Sequence, residues 1–177
     1  MKLFHPNPTP DQTLSVKVLC NEVESQYHLQ IKQGSNHIVT YLQKNKHLEN
    51  LFPSVSELLH IIYFKLRYEI KQCILQEKRT LFPLIITATA KDTLQLRDVI
   101  EPIRKTHVHI LELVEKLRQI LSRYEIEPVH SGEFKNFINE LRNLENNICK
   151  WILVEEDLIF PKVYSDLAKA KFIATVF

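Results

Sequence analysis

The sequence of 177 residues has very little glycine, only two residues, and no long apolar run. So few Gly, together with frequent Leu, Ile, Lys and Glu, favours helices over sheets. No stretch approaches the ~20 apolar residues that a membrane-spanning helix needs. The best one, LFPLII at 81–86, contains Pro83. These absences argue against a membrane protein and a sheet protein, and predict a helical domain.

Neither sign of charge dominates the chain. It has 23 Lys and Arg and 21 Asp and Glu, which gives a net charge of +2. No block of basic residues indicates a nucleic-acid or membrane-surface partner. Three Cys without CxxC spacing indicate free thiols in a reducing compartment. Because residues 1–12 lack the apolar core of a secretory signal, we expect a cytoplasmic protein that binds neither nucleic acid nor membrane.

Apolar residues recur at helical spacing in four stretches, of which the first follows an N-terminal segment rich in proline. That helix is predicted from about Leu14 to the region 44–47, with Asp11 or Thr13 as its cap. Gly34, followed by Ser and Asn, predicts a kink.

The other three helices are also bounded by proline and capping residues. Pro53 is predicted to open the second helix, and Pro83 to end or bend it. The third is expected to start near Thr93 and bend at Pro102, and the fourth to begin around Ser131.

Four long amphipathic helices with short links predict an all-α fold, an up-down-up-down four-helix bundle. We expect residues 13–177 to form one domain, preceded by an extended segment at 1–12. In such a bundle the second and fourth helices run parallel, so that their C-terminal ends lie at the same level.

One phrase occurs at both of those ends, as CILQEKRTLFP at 73–83 and WILVEEDLIFP at 151–161. In each, a Glu five residues before Phe-Pro lies on the apolar stripe, so Glu77 and Glu155 are predicted to point inward. A buried carboxylate is costly without compensation. Two metal ions bridged by the carboxylates would compensate for this cost. An ion pair with Lys, Arg or protonated His, or a helix end open to water, would also do so.

Histidines on the other helices are candidate partners of these carboxylates. His107 lies on the apolar stripe of the third helix and is predicted to face the core, although a single core His is commonly a hydrogen-bonded structural residue. His28 lies at the edge of the first helix's apolar face, and His47 near its end. Three histidines are predicted to be lateral or in a loop: His60, His109 and His130.

Two alternative chemistries fit these residues less well. A ferritin-like di-iron site needs paired Glu-x-x-His motifs, but Glu57-x-x-His60 points away from the core stripe and Glu127-x-x-His130 contains a proline. Cys73 beside a His is conceivable as a nucleophile or thiol sensor, yet buried Cys is usually inert packing. We therefore assign no catalytic residue.

Taken together, these residues resemble the hemerythrin-like domain, and within it the di-iron proteins associated with repair of iron-sulfur clusters. The family phrase H-x-x-x-E-x-x-x-L-F-P is retained from its Glu onward at 77–83 and, with Ile for Leu, at 155–161. The third helix, THVHILELVEKLRQILSRYEIEP, is similar to the family's, although Thr106 stands where a Glu is usual. Tyr27-His28 and His47 lie where the family carries His, and the similarity covers about 23–163.

The resemblance implies a non-haem iron site that reacts with oxygen, nitric oxide or damaged clusters. The residues that match the family's ligands are His28, His47, Glu77, His107 and Glu155. Cys73 and Trp151 replace two further His; an indole cannot coordinate, whereas a thiolate can. Three outcomes stay open: no metal, one metal held by the remaining ligands, or a rearranged site that includes Cys73. Without metal, the protein would be a helical interaction or regulatory module.

Overall fold

The computed structural model describes residues 14–44, 53–122 and 132–176. Within these ranges every regular element is helical and no strand occurs, which confirms the all-α class. None of the helices in the described ranges combines the length and apolarity needed to cross a membrane. The N-terminal segment 1–12, His47, Ser131 and His130 lie outside the described residues.

The first helix, α1, covers 16–44 as three consecutive segments: α-helical Val16–Glu22, π-helical Val23–His28 and α-helical Leu29–Lys44. Its cap is Ser15, whose Oγ accepts from the Val18 N–H at 3.4 Å, rather than Asp11 or Thr13, which lie outside the described residues. The helix is not interrupted at Gly34, whereas the kink expected there stays a prediction. Gly34 lies inside the second α-helical segment, and the change in hydrogen bonding comes earlier, at the π turn.

Helices α2 (53–87) and α4 (132–176) share one design. The α2 segments are Pro53–Gln76, π-helical Glu77–Leu81 and Phe82–Thr87. The α4 segments are Gly132–Val154, π-helical Glu155–Ile159 and Phe160–Val176. Each π turn ends just before Phe-Pro. The prediction that Pro83 ends or bends α2 is incomplete, because the helix continues to Thr87. A proline ring clashes with the carbonyl four residues back, and the wider turn before it relieves that mismatch.

The third helix, α3 (Thr93–Ser122), begins where the sequence predicts and continues through Pro102. A 3₁₀ turn, Ala90–Asp92, precedes it, and Asp92 accepts from the Thr89 N–H at 2.8 Å to close a capping box. Inside α3, the Thr106 hydroxyl donates to the Pro102 carbonyl at 3.1 Å.

Helix packing brings all four helices to the end of the molecule where α2 and α4 carry the repeated phrase. Along their length α2 packs on α3, and α1 packs on α4. The start of α1 also contacts the segment Phe82–Thr87 and the π turn of α4, while α3 contacts the π turn of α2. Toward the middle, the buried Tyr63 hydroxyl donates to the Ser35 carbonyl at 2.9 Å and links α2 to α1. All four helices therefore contribute to the end that carries the repeated phrase.

Candidate metal centre

Two carboxylates lie at the centre of this end of the molecule. Glu77 and Glu155 are both 0% exposed, as the apolar stripes of their helices predict. Each is the first residue of a π turn, and His28 is the last residue of the π turn in α1. π turns often occur at functional sites. Here, three of them carry three of the predicted site residues.

His28 and Glu77 face each other across α1 and α2. Nε2 of His28 lies 2.9 Å from Oε2 of Glu77, and the imidazole is stacked on Phe82 with an interplanar angle of 8°. The two atoms are close without hydrogen-bond alignment, and neither has a hydrogen-bond partner among the described residues. A short contact of this kind, without hydrogen-bond geometry, is what two ligands of the same metal ion would make.

His107 occupies the matching position on the other side. Its Nε2 lies 3.4 Å from Oε2 of Glu155 and 3.7 Å from Oε1 of Glu77. Its ring is stacked on Phe160, again at 8°, as His28 is on Phe82. Both stacking partners are the Phe of a Phe-Pro pair, so the repeated phrase supplies a carboxylate and an aromatic support on each side.

A carboxylate that the sequence did not single out fixes His107. Nδ1 of His107 lies 2.9 Å from Oε1 of Glu156, whose other oxygen is 3.0 Å from Nε of Arg104. The guanidinium also lies over the Phe160 ring, 5.4 Å from its centre. A carboxylate on one imidazole nitrogen sets the tautomer and directs the other nitrogen toward the site. Arg104 and Glu156 thus orient Nε2 of His107 toward the buried carboxylates.

Cys73 and Trp151 each donate to the central Glu one helical turn later. The Cys73 thiol donates to Oε1 of Glu77 at 3.1 Å, and the Trp151 indole donates to Oε1 of Glu155 at 2.9 Å. Trp151 is 0% exposed, and its ring meets those of His28 and His107 edge-on at 5.3 and 5.5 Å. Indole and thiol therefore each occupy one oxygen of a central carboxylate.

The pKa values of the two buried carboxyls are shifted in opposite directions. Burial opposes ionisation of Glu77, but the close imidazoles of His107 and His28 outweigh it and lower its pKa to about 2. Burial, and then the charge on Glu77, raise the pKa of Glu155 well above its usual value. Burial alone would lower the pKa of His107, yet the contacts with Glu156 and Glu77 raise it. The two carboxyls therefore differ in how readily they ionise, Glu77 more readily and Glu155 less readily than an exposed Glu.

The cysteines are all free thiols, as the sequence predicts. Burial and the nearby charge of Glu77 raise the pKa of Cys73, so it is a thiol rather than a reactive thiolate. Cys20, which the sequence did not single out, is also close to the site: burial and the charges of Glu155, Glu24 and Glu77 raise its pKa to about 12. A helical pattern alone does not distinguish such a Cys from packing.

Five of the six predicted ligands come together at this end: His28, Cys73, Glu77, His107 and Glu155. Their roles as ligands stay predictions, and the sixth, His47, lies outside the described residues. His109, predicted to be lateral, is part-exposed and lies 3.5 Å from Glu112. His60 is also part-exposed.

The donor atoms fit a metal ion. Four buried atoms have no hydrogen-bond partner among the described residues and belong to the same cluster: His28 Nε2, Glu77 Oε2, His107 Nε2 and Glu155 Oε2. Two sets of three residues bring ligand atoms within 4.8 Å of one another, namely His28 with Glu77 and Glu155, and Cys73 with Glu77 and His107. Imidazole and carboxylate are donors that suit iron, and the thiolate is softer.

Comparison with known proteins identifies a distant relative. The chain is 24% identical over 153 residues to proteins named iron-sulfur cluster repair protein ScdA, from two strains of Staphylococcus epidermidis. The match covers 85% of this chain and 67% of each relative. No family model matches the chain. The chain is therefore a distant homologue of a protein with that name.

Proposed function

We propose that this protein is a hemerythrin-like, non-haem iron-binding protein with an up-down-up-down four-helix bundle and a reduced set of ligands. Its role would be related to iron-sulfur cluster repair or to the response to oxygen or nitric oxide. The observation that carries the proposal is the convergence of four buried donor atoms that lack a hydrogen-bond partner among the described residues.

Burying those four donor atoms without hydrogen bonds is costly. Each buried polar group without a hydrogen bond costs about 1–3 kcal/mol, and the contacts of 2.9 and 3.4 Å between these atoms offset only part of that cost. A typical domain has only about 5–15 kcal/mol of stability in total. A cation within reach of His28, Glu77, His107 and Glu155 removes this cost and lets both carboxyls ionise. Cation binding therefore accounts for a cluster that is otherwise expensive to fold.

The residues of the cluster would have distinct roles in iron binding. The carboxylates of Glu77 and Glu155 and the Nε2 atoms of His28 and His107 would hold iron, with His47 as a further predicted ligand. Bound iron would supply one-electron redox chemistry and an open coordination position for a small diatomic molecule such as oxygen or nitric oxide. Glu156 and Arg104 hold the His107 ring in place. The aromatic rings around the histidines keep water away from the donors.

The test is the iron content of the purified chain after expression in iron-rich medium. We expect stoichiometric iron in the wild type and its loss in Glu77→Gln/Glu155→Gln, which keeps the shape of both side chains. The matched control, Glu112→Gln/Glu115→Gln, changes two exposed carboxylates and should retain iron. Substoichiometric iron that is equal in all three proteins would refute the proposal.

A second candidate is a metal-free helical interaction or regulatory module, and the Cys73 and Trp151 contacts favour it. Each donates to a buried carboxylate from a position where the resembled family has a metal ligand. Trp buries a large area and stabilises a bundle that lacks a metal. This candidate predicts a melting temperature that responds to neither chelator nor iron, and a drop of many degrees on chelation would exclude it.

A further inference from the structure

The two sides of the cluster differ in the number and softness of their donors. On the His28 side, the close pair is His28 Nε2 and Glu77 Oε2, 2.9 Å apart. On the His107 side lie a thiol, an imidazole and carboxylate oxygens, with the ligand atoms of Cys73, Glu77 and His107 within 4.8 Å of one another. Of the two candidate ligand sets found among the described residues, this second one contains a sulfur atom.

Distances on the His107 side fit four-coordinate geometry. Glu77 Oε1 lies 3.1 Å from Cys73 Sγ and 3.7 Å from His107 Nε2, which is 3.4 Å from Glu155 Oε2. Ligands at zinc-like bond lengths in a tetrahedron lie about 3.3–3.6 Å apart, and these three distances bracket that range. Cys73, Glu77 and His107 therefore come close to three corners of a tetrahedral site, and Glu155 lies next to His107.

The hydrogen bonds around the cluster determine which donor atoms are free to bind a metal ion. Oε1 of Glu155 accepts from the Trp151 indole, which leaves Oε2, buried and without a hydrogen-bond partner in the described part of the chain. Nε2 of His107 is likewise buried and lacks a partner there, because Glu156 holds the opposite nitrogen. Two buried donors, Nε2 of His107 and Oε2 of Glu155, thus lie 3.4 Å apart, and His107 also belongs to the ligand set of Cys73.

We propose that the His107 side is a thiolate position for a thiophilic divalent cation of the Zn²⁺ class, held by Cys73 Sγ, Glu77 Oε1, His107 Nε2 and Glu155 Oε2. Soft thiolate donors favour zinc over the hard cations that oxygen ligands prefer. Binding exchanges the thiol proton, now donated to Glu77, for the metal and releases it to solvent, without oxidation or reduction. This inference rests on the proposed function, because both use the same carboxylates.

Cobalt(II) is the probe, since it replaces zinc and reports a sulfur ligand by a charge-transfer absorption band. We expect the metal-free full chain to bind Co²⁺ with such a band, and Zn²⁺ to abolish it by displacement. Cys73→Ser keeps a hydroxyl donor for Glu77 but should eliminate the band. It should also weaken Zn²⁺ binding by at least about tenfold, since loss of outer-shell partners alone costs that much.

Two further variants separate ligation from folding. Cys149→Ser removes a half-buried thiol of α4 that belongs to neither candidate ligand set, and should leave the band and the affinity unchanged. Cys73→His replaces sulfur by nitrogen, so it should bind Co²⁺ without the band. Circular dichroism checks that each variant is folded. A band that survives Cys73→Ser, or that disappears only in Cys20→Ser, would overturn the inference.

The outcomes also distinguish this inference from the proposed function. Iron binding that depends on Glu77 and Glu155, together with Co²⁺ or Zn²⁺ binding that is indifferent to Cys73, would overturn the thiolate position alone. Cys73-dependent Co²⁺ binding in a chain that takes up no iron would overturn the iron proposal alone.

Discussion

Replacing Trp151 by His tests whether an indole occupies space that a metal ligand can use. Trp151 is fully buried, donates to Glu155 and lies edge-on to both site histidines. Trp→Ala in a core costs about 3–5 kcal/mol, and His recovers part of the volume, so we expect a loss of about 2–4 kcal/mol without metal. At about 2–4 °C per kcal/mol for a domain of this size, the melting temperature should fall by about 4–16 °C.

Iron should reverse most of this loss, because the new imidazole lies one helical turn before Glu155 and adds a ligand. A ligand at one hundred times its dissociation constant stabilises the folded state by about 2.7 kcal/mol. The assay is thermal unfolding of Trp151→His with iron(II) under anaerobic conditions, and with chelator.

Trp151→Phe is the matched control for this experiment. It also removes volume and the indole donor but cannot coordinate, so it should lose stability and gain no more from iron than the wild type. If Trp151→His is as stable as the wild type without metal, or if iron stabilises the His and Phe variants equally, the reasoning is refuted.

Two further predictions concern the support of the site and the bundle. Glu156→Ala leaves His107 Nδ1 without its carboxylate and should weaken metal binding by about 10–100-fold with the fold intact; titration calorimetry measures it, exposed Glu112→Ala is the control, and unchanged affinity would contradict it. Burial raises the pKa of Tyr63 from 10.0 to about 12, despite the opposing hydrogen bond with Ser35. Because the folded pKa is the higher one, the stabilisation is full below the unfolded value and is lost as the pH rises through the folded value, about 2–3 kcal/mol in all. Urea unfolding from pH 9 to 12 should show this loss in the wild type and less of it in Tyr63→Phe, and equal slopes would contradict the assignment.

Helical periodicity predicted the burial of the central residues correctly. Glu77, Glu155 and His107 lie on apolar stripes, and all three are buried where those stripes meet. His28 lies at the edge of its stripe and is nevertheless buried at the site. The burial of Glu77 and Glu155 was predictable because each is the first residue of its π turn and follows a long regular α-helical segment.

The prediction was least complete where the π turns change the register. A π turn has no residue signature that a pattern at 100° per residue would reveal, so Pro83 was expected to end or bend α2. Glu156, the second residue of the π turn in α4, contacts His107 on α3. The sequence did not single it out, because the spacing of residues along one helix does not reveal such a contact between helices.

The most direct test of the account is the position of metal in a crystal of the iron-loaded chain. An anomalous difference map recorded at the iron edge should contain a peak within coordination distance of Glu77 and Glu155, with Nε2 of His28 or His107 also bound. A map without a peak there, in a chain whose Cys73 and Trp151 still donate to the two carboxylates, would contradict the claim that this cluster is a metal centre.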